Sequence, residues 1–427
     1  MGTFSFVQPN PHYLGRLLSA AEHKPILAGE DIYNQHGLKL WAAGKPISVT
    51  LRDRLLESRL HKPLEICIRL EDGVRSAHLC QDLERLLAQL PALPKLGGPH
   101  LGEVRAQFAT LEVSGVPELQ LSTVAFDGSG GYEHALLASL IATLLARRIG
   151  LPESELPALI LAGLCHDFGE MYVNPDMLDR QKPLSVEQWR QVAVHPRIGA
   201  LLLADCASMP PRIVRAVQEH HERLDGSGYP LGLQEDALSV HGRLLIVADV
   251  LAAIFAEEAQ SEAQALLALR LVSRQFPADL VSVVCETLGH PVPPPATQQD
   301  PRELCRAAQD IYLRLQNCKD AAVQTHSNHD MPWSVRHFAG RVSELCTTLL
   351  VALNASGVMF LIADAETLGA LDEEIAAELQ LSLRELRWRS TMLLRHIWLE
   401  AGRQELGLMH FEAMLQCLLP VQDADAV

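Results

Sequence analysis

Between residues 96 and 290 the apolar side chains recur at helical intervals, and this pattern limits more than any other what the chain can fold into. Leu136, Leu137, Leu140, Ile141, Leu144 and Leu145 fall at the three- and four-residue steps that lay a stripe along one helix face. Leu184-Ser185-Val186-Glu187-Gln188 has the form of a helix start. Ser185 is its cap, Gln188 stands three residues on, and Val192 belongs to the apolar face that follows. The stretch is expected to be a helical bundle, and the chain as a whole mainly α.

Its flanks read differently. Residues 1–95 are expected to form a small α+β module. Asp31-Ile32-Tyr33-Asn34 and Leu38-Lys39-Leu40-Trp41 flank Gln35-His36-Gly37 in the manner of a β-hairpin. Ser48 to Leu60 reads as a short helix with Ser48 as cap and apolar positions at Leu51, Leu55, Leu56 and Leu60. Leu64-Glu65-Ile66-Cys67-Ile68 reads as a closing strand. The module carries no cluster of catalytic residue types, so an adaptor or sensory role is expected. After the bundle, His290-Pro291-Val292-Pro293-Pro294-Pro295 cannot continue a helix and reads as a linker. Residues 301–427 are expected to form a C-terminal helical region, in which Arg384, Arg387, Arg389 and Arg395 mark a helix with a solvated basic face.

At 427 residues the chain exceeds one ordinary core, which agrees with this division into three. Its formal net charge of -16 excludes nucleic-acid polymers and anionic membranes as general partners. A small anionic substrate would need metal ions or a few placed arginines to overcome that field. Leu345 to Ala363 carries no charge, but Asn354-Ala355-Ser356-Gly357 interrupts it, so it reads as two buried elements joined by a turn and not as a membrane span. The N-terminus has neither the basic start nor the apolar stretch of a signal peptide. With nine scattered cysteines and no CxxC pair, a cytoplasmic protein with reduced thiols is expected.

The bundle holds metal-ligand residue types: His134, the pair His166-Asp167, His195, the pair His220-His221, and Asp249. Imidazole together with carboxylate suits iron or manganese first, and nickel or zinc as well, whereas a thiophilic site would use cysteine. The set is too large for one tetrahedral ion and about right for two, with one carboxylate between them. Neighbouring residues on a helix point about 100° apart, so an adjacent pair can serve two ions from one helix end. Asp167 is the natural bridge and the candidate catalytic residue. His78, His100 and His241 are isolated histidines, read as surface or satisfied core residues and left outside the set.

His220-His221-Glu222-Arg223-Leu224-Asp225-Gly226-Ser227-Gly228-Tyr229-Pro230 carries the argument further. Together with Tyr132-Glu133-His134, Leu164-Cys165-His166-Asp167-Phe168-Gly169, Val194-His195-Pro196 and Arg243-Leu244-Leu245-Ile246-Val247-Ala248-Asp249-Val250, it resembles the HD-GYP branch of the HD superfamily of phosphohydrolases. The resemblance runs from about residue 121 to 290 and takes in Phe276-Pro277-Ala278-Asp279-Leu280-Val281, which is similar to the family's closing helix. The hairpin and helix of the first zone also resemble modules that commonly precede such domains. The resemblance implies a bacterial signalling phosphodiesterase that opens cyclic di-GMP to the linear dinucleotide with two divalent transition-metal ions. It implies that Gly228, Tyr229, Pro230 and Arg243 meet the substrate, or that the GYP loop meets a partner such as a diguanylate-cyclase domain or another signalling protein. A tight turn after the histidine pair would account for the same glycines.

Three positions depart from the family pattern. Glu170 stands where the family usually has lysine, Ala252 replaces the second Asp of its Asp-x-x-Asp, and Phe255-Ala256-Glu257-Glu258 stands where basic residues are expected. Some members take a third metal on a Glu four residues before the first histidine, where this chain has Gly130. Two ions are therefore expected. The alternative to an active enzyme is a degenerate domain that binds metal or nucleotide and serves as a regulatory scaffold.

Overall fold

The computed structural model describes residues 5–179, 182–256, 261–289, 300–355, 373–403 and 405–419. The fold is mainly α. It divides into two compact units, one of residues 1–258 and 276–288, the other of residues 259–275 and 289–427. The linker expected at His290–Pro295 and the part of the uncharged segment beyond Ala355 lie outside the described residues.

The first unit opens with α1 (Pro11–Ala21), started by Asn10, whose side chain accepts from the amides of His12 and Tyr13. Strands β1 (Ile26–Ala28), β2 (Ile32–Tyr33) and β3 (Lys39–Trp41) follow. The expected hairpin is present, with β2 and β3 antiparallel and Asn34 N–H donating to the Leu38 carbonyl at its neck. Helix α2 (Val49–Leu56) is shorter than expected and buries Leu51 and Leu55.

The closing strand is displaced. Leu64–Cys67 is a single helical turn, α3, and the strand β4 is Ile68–Leu70, antiparallel to β1 with Ile26 opposite Leu70. Pro63 starts the turn. The turn buries Leu64, Glu65 and Cys67 together, which a strand with alternating faces could not do.

Helices α4 (Ser76–Gln89), α5 (Ala92–Gly97), α6 (Leu101–Thr110) and α7 (Val116–Phe126) lead into the bundle. The ion pair of Arg16 with Asp127, 2.9 Å, ties α1 to the end of α7. The bundle proper is α8 (Gly131–Arg148), α9 (Leu156–Cys165), α10 (Val186–Val192), α11 (His195–Asp205), α12 (Pro211–Glu219) and α13 (Val240–Phe255). Helix α8 is buried on nearly every side from Ala135 to Ala146 and packs against α9 and α13, while α12 packs against α11 and α13. Ser185 and Gln188 form the expected capping box at the head of α10.

The second unit holds α14 (Ser261–Arg270). Helix α15 (Ala278–Leu288) belongs to the first. The second continues with α16 (Pro301–Ser327), α17 (Trp333–Ala355) and the helices Glu373–Arg403 and Glu412–Leu418. Arg389 departs from the solvated face expected of its helix: it is buried, pairs with Glu385 at 2.7 Å and donates to the Ala268 carbonyl. Among the described residues no helix is long and apolar enough to cross a membrane.

Candidate metal centre

Helix ends build this site. His166 follows directly on α9, His195 is the first residue of α11, and His220 follows directly on α12. Each of these rings uses Nδ1 to bond the carbonyl three residues back: His166 to Gly163 at 2.7 Å, His195 to Val192 at 2.9 Å, His220 to Val217 at 2.7 Å. Helix ends leave such carbonyls without intrahelical partners. A carbonyl only accepts, so the Nδ1 atoms donate a proton there and the Nε2 atoms are the ones turned into the centre.

Asp167 lies between two groups of donors. Its Oδ2 is 3.0 Å from His166 Nε2 and 3.6 Å from His134 Nε2. Its Oδ1 is 3.3 Å from His220 Nε2 and 3.4 Å from His195 Nε2. Asp249 reaches His134 Nε2 with Oδ1 at 3.1 Å and His221 Nδ1 with Oδ2 at 3.3 Å. The structure thus brings together His134, His166, Asp167, His195, His220, His221 and Asp249, and Asp167 is common to both groups.

The donor set fits metal ions. Asp167 Oδ1 is buried and makes no hydrogen bond among the described residues. The Nε2 atoms of His195 and His220 stand 3.3 Å from each other. With both rings neutral, three lone pairs converge on one point. Ligand atoms about 2.1 Å from a common ion lie roughly 3.0 to 3.4 Å apart in octahedral or tetrahedral geometry, which is the spacing found. The charges agree. Burial alone would raise the Asp167 and Asp249 carboxyls, but the surrounding histidines hold both well below the usual range. Burial works against a charge on His166 as well, and the Asp167 and Asp249 carboxylates still lift it to about 9.

The GYP loop folds back onto this centre. Tyr229 N–H donates to the His221 carbonyl, and the Tyr229 ring lies 4.7 Å from the His221 ring and edge-on to Trp189 at 5.1 Å. A side chain at Gly228 would run into the backbone of Glu222 and Arg223, so only glycine allows the return. Pro230 follows through a cis peptide bond. Arg243 belongs to another element, α13. It stands in the first turns of α13, six residues and about 9 Å along the axis before Asp249, and its guanidinium donates to the Glu235 carbonyl at 2.8 Å.

Two further residues, Glu222 and Glu65, have no role in the sequence reading. Glu222 is fully buried, and its carboxylate accepts from the amides of Leu231 at 2.7 Å and Leu233 at 2.9 Å, anchoring the far side of the loop. Its place inside the His-His-Glu run was the available signal. Glu65 is buried and accepts from the Tyr172 hydroxyl at 2.7 Å. Nothing in its own neighbourhood of the sequence points to a partner so far along the chain.

The departing residues also have places. Burial and the negative charge of Asp167 push the Glu170 carboxyl up, while His195, His134 and Arg16 pull it down, so Glu170 lies within the field of the centre. Gly130 caps α8 with φ 77°, in the left-handed region. Glu133 turns away to pair with Arg85 at 3.1 Å.

Comparison with known proteins agrees with the geometry. The HD domain family profile matches residues 121–279. Cyclic di-GMP phosphodiesterase PA4108 of Pseudomonas aeruginosa is 36% identical over 140 residues, which are 32% of this chain and 34% of that protein. The cyclic di-GMP phosphodiesterase response regulator RpfG of Xanthomonas campestris is 33% identical over 29% of this chain and 33% of its own length. The 3'3'-cGAMP-specific phosphodiesterase 3 of Vibrio cholerae is 31% identical over 29% of this chain and 27% of its own length. The chain spans about a third of the length of these curated relatives. With the matched segment, the paired histidines and the Gly228-Tyr229-Pro230 loop in place, residues 121–279 match the HD domain family and are similar to the corresponding part of these phosphodiesterases.

Proposed function

We propose that the chain is a metal-dependent phosphodiesterase that hydrolyses cyclic di-GMP to the linear dinucleotide. The observation that carries this reading is Asp167, whose two oxygens each face a separate group of histidines. His134, His166, Asp167 and Asp249 would hold one divalent ion, and Asp167, His195, His220 and His221 the other, iron or manganese suiting these donors first. Two such ions supply a nucleophile from water at neutral pH and neutralise charge on a phosphate. The protein's own part is to fix the ligands. The backbone carbonyls of Gly163, Val192 and Val217 set the three ring orientations, and Asp167 keeps its charge despite burial. Tyr229, packed on His221, walls the site beside the substrate. Water adds across the bond between phosphorus and the ribose 3′-oxygen, that oxygen takes a proton, and the ring opens once.

Residues 1–95 would act as an adaptor or sensory module and 301–427 as a separate helical region. The GYP loop would contact the substrate or a partner signalling protein.

A regulatory scaffold is the second reading, favoured by Glu170, a carboxylate in the field of Asp167 where an anionic substrate must come. One experiment separates the two. Metal-loaded full chain is incubated with cyclic di-GMP and, in parallel, with 3'3'-cGAMP, and the products are resolved by chromatography. The linear dinucleotide as main product, with cyclic di-GMP turned over faster, is the expected result. Tight binding without turnover of either nucleotide would establish the scaffold.

A further inference from the structure

The stretch of chain that follows Asp167 is held from two sides. Phe168–Tyr172 is a short helical segment that begins directly after Asp167. Glu170 N–H donates to the Asp167 carbonyl at 2.9 Å, and Val173 N–H to the Glu170 carbonyl at 3.1 Å. On one side the segment lies against the start of α11, where a side chain at Gly169 would run into the His195 carbonyl. Its near end thus abuts two residues of the metal centre, Asp167 and His195.

Its far end is held by the N-terminal module. Tyr172, five residues after Asp167, is buried with its ring stacked on Tyr13 of α1. The two centroids are 4.9 Å apart and the planes 8° from parallel. Phe6 meets the same ring edge-on at 5.5 Å. The Tyr172 hydroxyl donates to Glu65 Oε1 of α3 at 2.7 Å. Asn10 serves both partners, since its Oδ1 caps α1 while its Nδ2 donates to the Tyr172 carbonyl at 3.2 Å. Tyr13 is fixed in turn by Gln120 of α7, whose Nε2 donates to its hydroxyl at 2.9 Å. A tyrosine that only filled the core would need burial and one partner for its hydroxyl. Here the backbone carbonyl is held too, so the segment is fixed along with the ring.

We infer that Tyr172 is a positioning residue of the metal centre, through which the N-terminal module sets the place of Asp167. The inference rests on the reading of that centre as a two-metal site and adds to it a framework outside the bundle. Ligands in a metal site keep their distances to within about 0.2 Å, so a small displacement of a shared carboxylate weakens both ions. Partners that orient ligands from behind account for about 10- to 100-fold in metal affinity.

Calorimetric titration of the metal-free full chain with manganese(II) chloride tests this. Tyr172→Leu loses the stack and the hydroxyl, and should bind manganese at least roughly tenfold more weakly than the wild type. Tyr172→Phe keeps the ring and should lie between the two. Asn10→Asp keeps an acceptor to cap α1 but removes the donor to the Tyr172 carbonyl, and should cost at least roughly threefold. Leu51→Ala, in the core of α2, takes no group from this array; it should lower the melting temperature and leave manganese affinity unchanged. Hydrogen exchange of the metal-free protein gives a second readout: the amides of Glu170 and Val173 should exchange faster in Tyr172→Leu, with α8 unchanged. Wild-type affinity in folded Tyr172→Leu and Asn10→Asp overturns the inference and leaves the metal centre standing. An equal loss in Leu51→Ala does the same. A wild type that takes up no manganese overturns the reading of the centre, and the inference with it.

Discussion

His195 and His220 face each other through Nε2 atoms 3.3 Å apart, while the Nδ1 of each is already bonded to a backbone carbonyl. When both rings are neutral, neither has a proton for the gap. Asp167 Oδ1 is directed at the same place, so three acceptors meet where only a cation satisfies them. Helix-end carbonyls thus shape the cluster that could hold metal as much as the ligand residues themselves do.

Removing Asp167 should consequently empty both sites. Metal-loaded protein is expected to carry close to two transition-metal ions per chain by elemental analysis, and Asp167→Ala to lose most of both. Without the shared carboxylate two cations would face each other with less charge between them. Chelation should also lower the melting temperature of the wild type, because binding to the folded state alone stabilises it. Full occupancy in the variant would remove Asp167 from its bridging role.

Glu170 tests the substrate side. Two unit charges a few ångströms apart near a surface interact by a few kcal/mol at an effective dielectric of about 20. Glu170→Lys reverses the sign of that interaction with a phosphate. It is expected to raise kcat/KM for cyclic di-GMP by at least roughly tenfold, which needs only about 1.4 kcal/mol. Glu170→Gln, which removes charge without adding bulk, should give a smaller gain in the same direction. If both variants fold, retain metal and show no gain, Glu170 does not limit the site.

The bundle and the clustering of its histidines and aspartates are legible in the sequence because both follow local rules. Leu136 to Leu145 carry the helical period, and the adjacent pairs His166-Asp167 and His220-His221 lie at helix ends, where neighbours diverge. What was not legible depends on distant partners. Glu65 looked like part of a strand because Leu64, Ile66 and Ile68 alternate around it. The turn it occupies is explained by Tyr172, 107 residues away, and by Pro63 at its start. Arg389 looked solvated among its arginine neighbours, yet the Ala268 carbonyl, 121 residues away, receives it in the interior. Periodicity reports which face is apolar and says nothing of which buried polar group will find a partner.

Glu65 gives the protein a pH dependence of known sign. Burial raises its carboxyl from 4.5 to about 7, against the opposing hydrogen bonds from its own amide and Tyr172. The titratable groups around it are Tyr13, Tyr172, Cys67 and Cys206, all pushed upward by burial and by its charge. The fold therefore favours the protonated acid. Its stabilising contribution is complete below about pH 4.5 and is lost as pH rises through about 7. The difference amounts to about 3 kcal/mol at most. Chemical denaturation at pH 5 and pH 8 should show the wild type losing more stability across that interval than Glu65→Gln, whose side chain does not titrate. Identical slopes would mean that Glu65 ionises in the fold as freely as in the unfolded chain.

Glu222 governs the loop more directly. Its carboxylate, fully buried, accepts from the amides of Leu231 and Leu233, while Tyr229 between His221 and Trp189 holds the near side. Hydrogen bonds to a charged acceptor contribute about 1.5 to 3 kcal/mol each, and Glu222→Ala removes both. Glu222→Ala is expected to release the segment after Pro230 while α8, α9 and α13 remain packed. Hydrogen exchange followed by mass spectrometry should show protection lost around Leu231 and Leu233, by tenfold or more, with the peptides of α8 unchanged. Metal content should stay near that of the wild type, since the Glu222 carboxylate is engaged by the Leu231 and Leu233 amides. Turnover of cyclic di-GMP should fall through KM more than through kcat, because the loop walls the site and does not supply its charge. Unchanged exchange at Leu231 and Leu233 would mean that Tyr229 alone is enough to hold the loop.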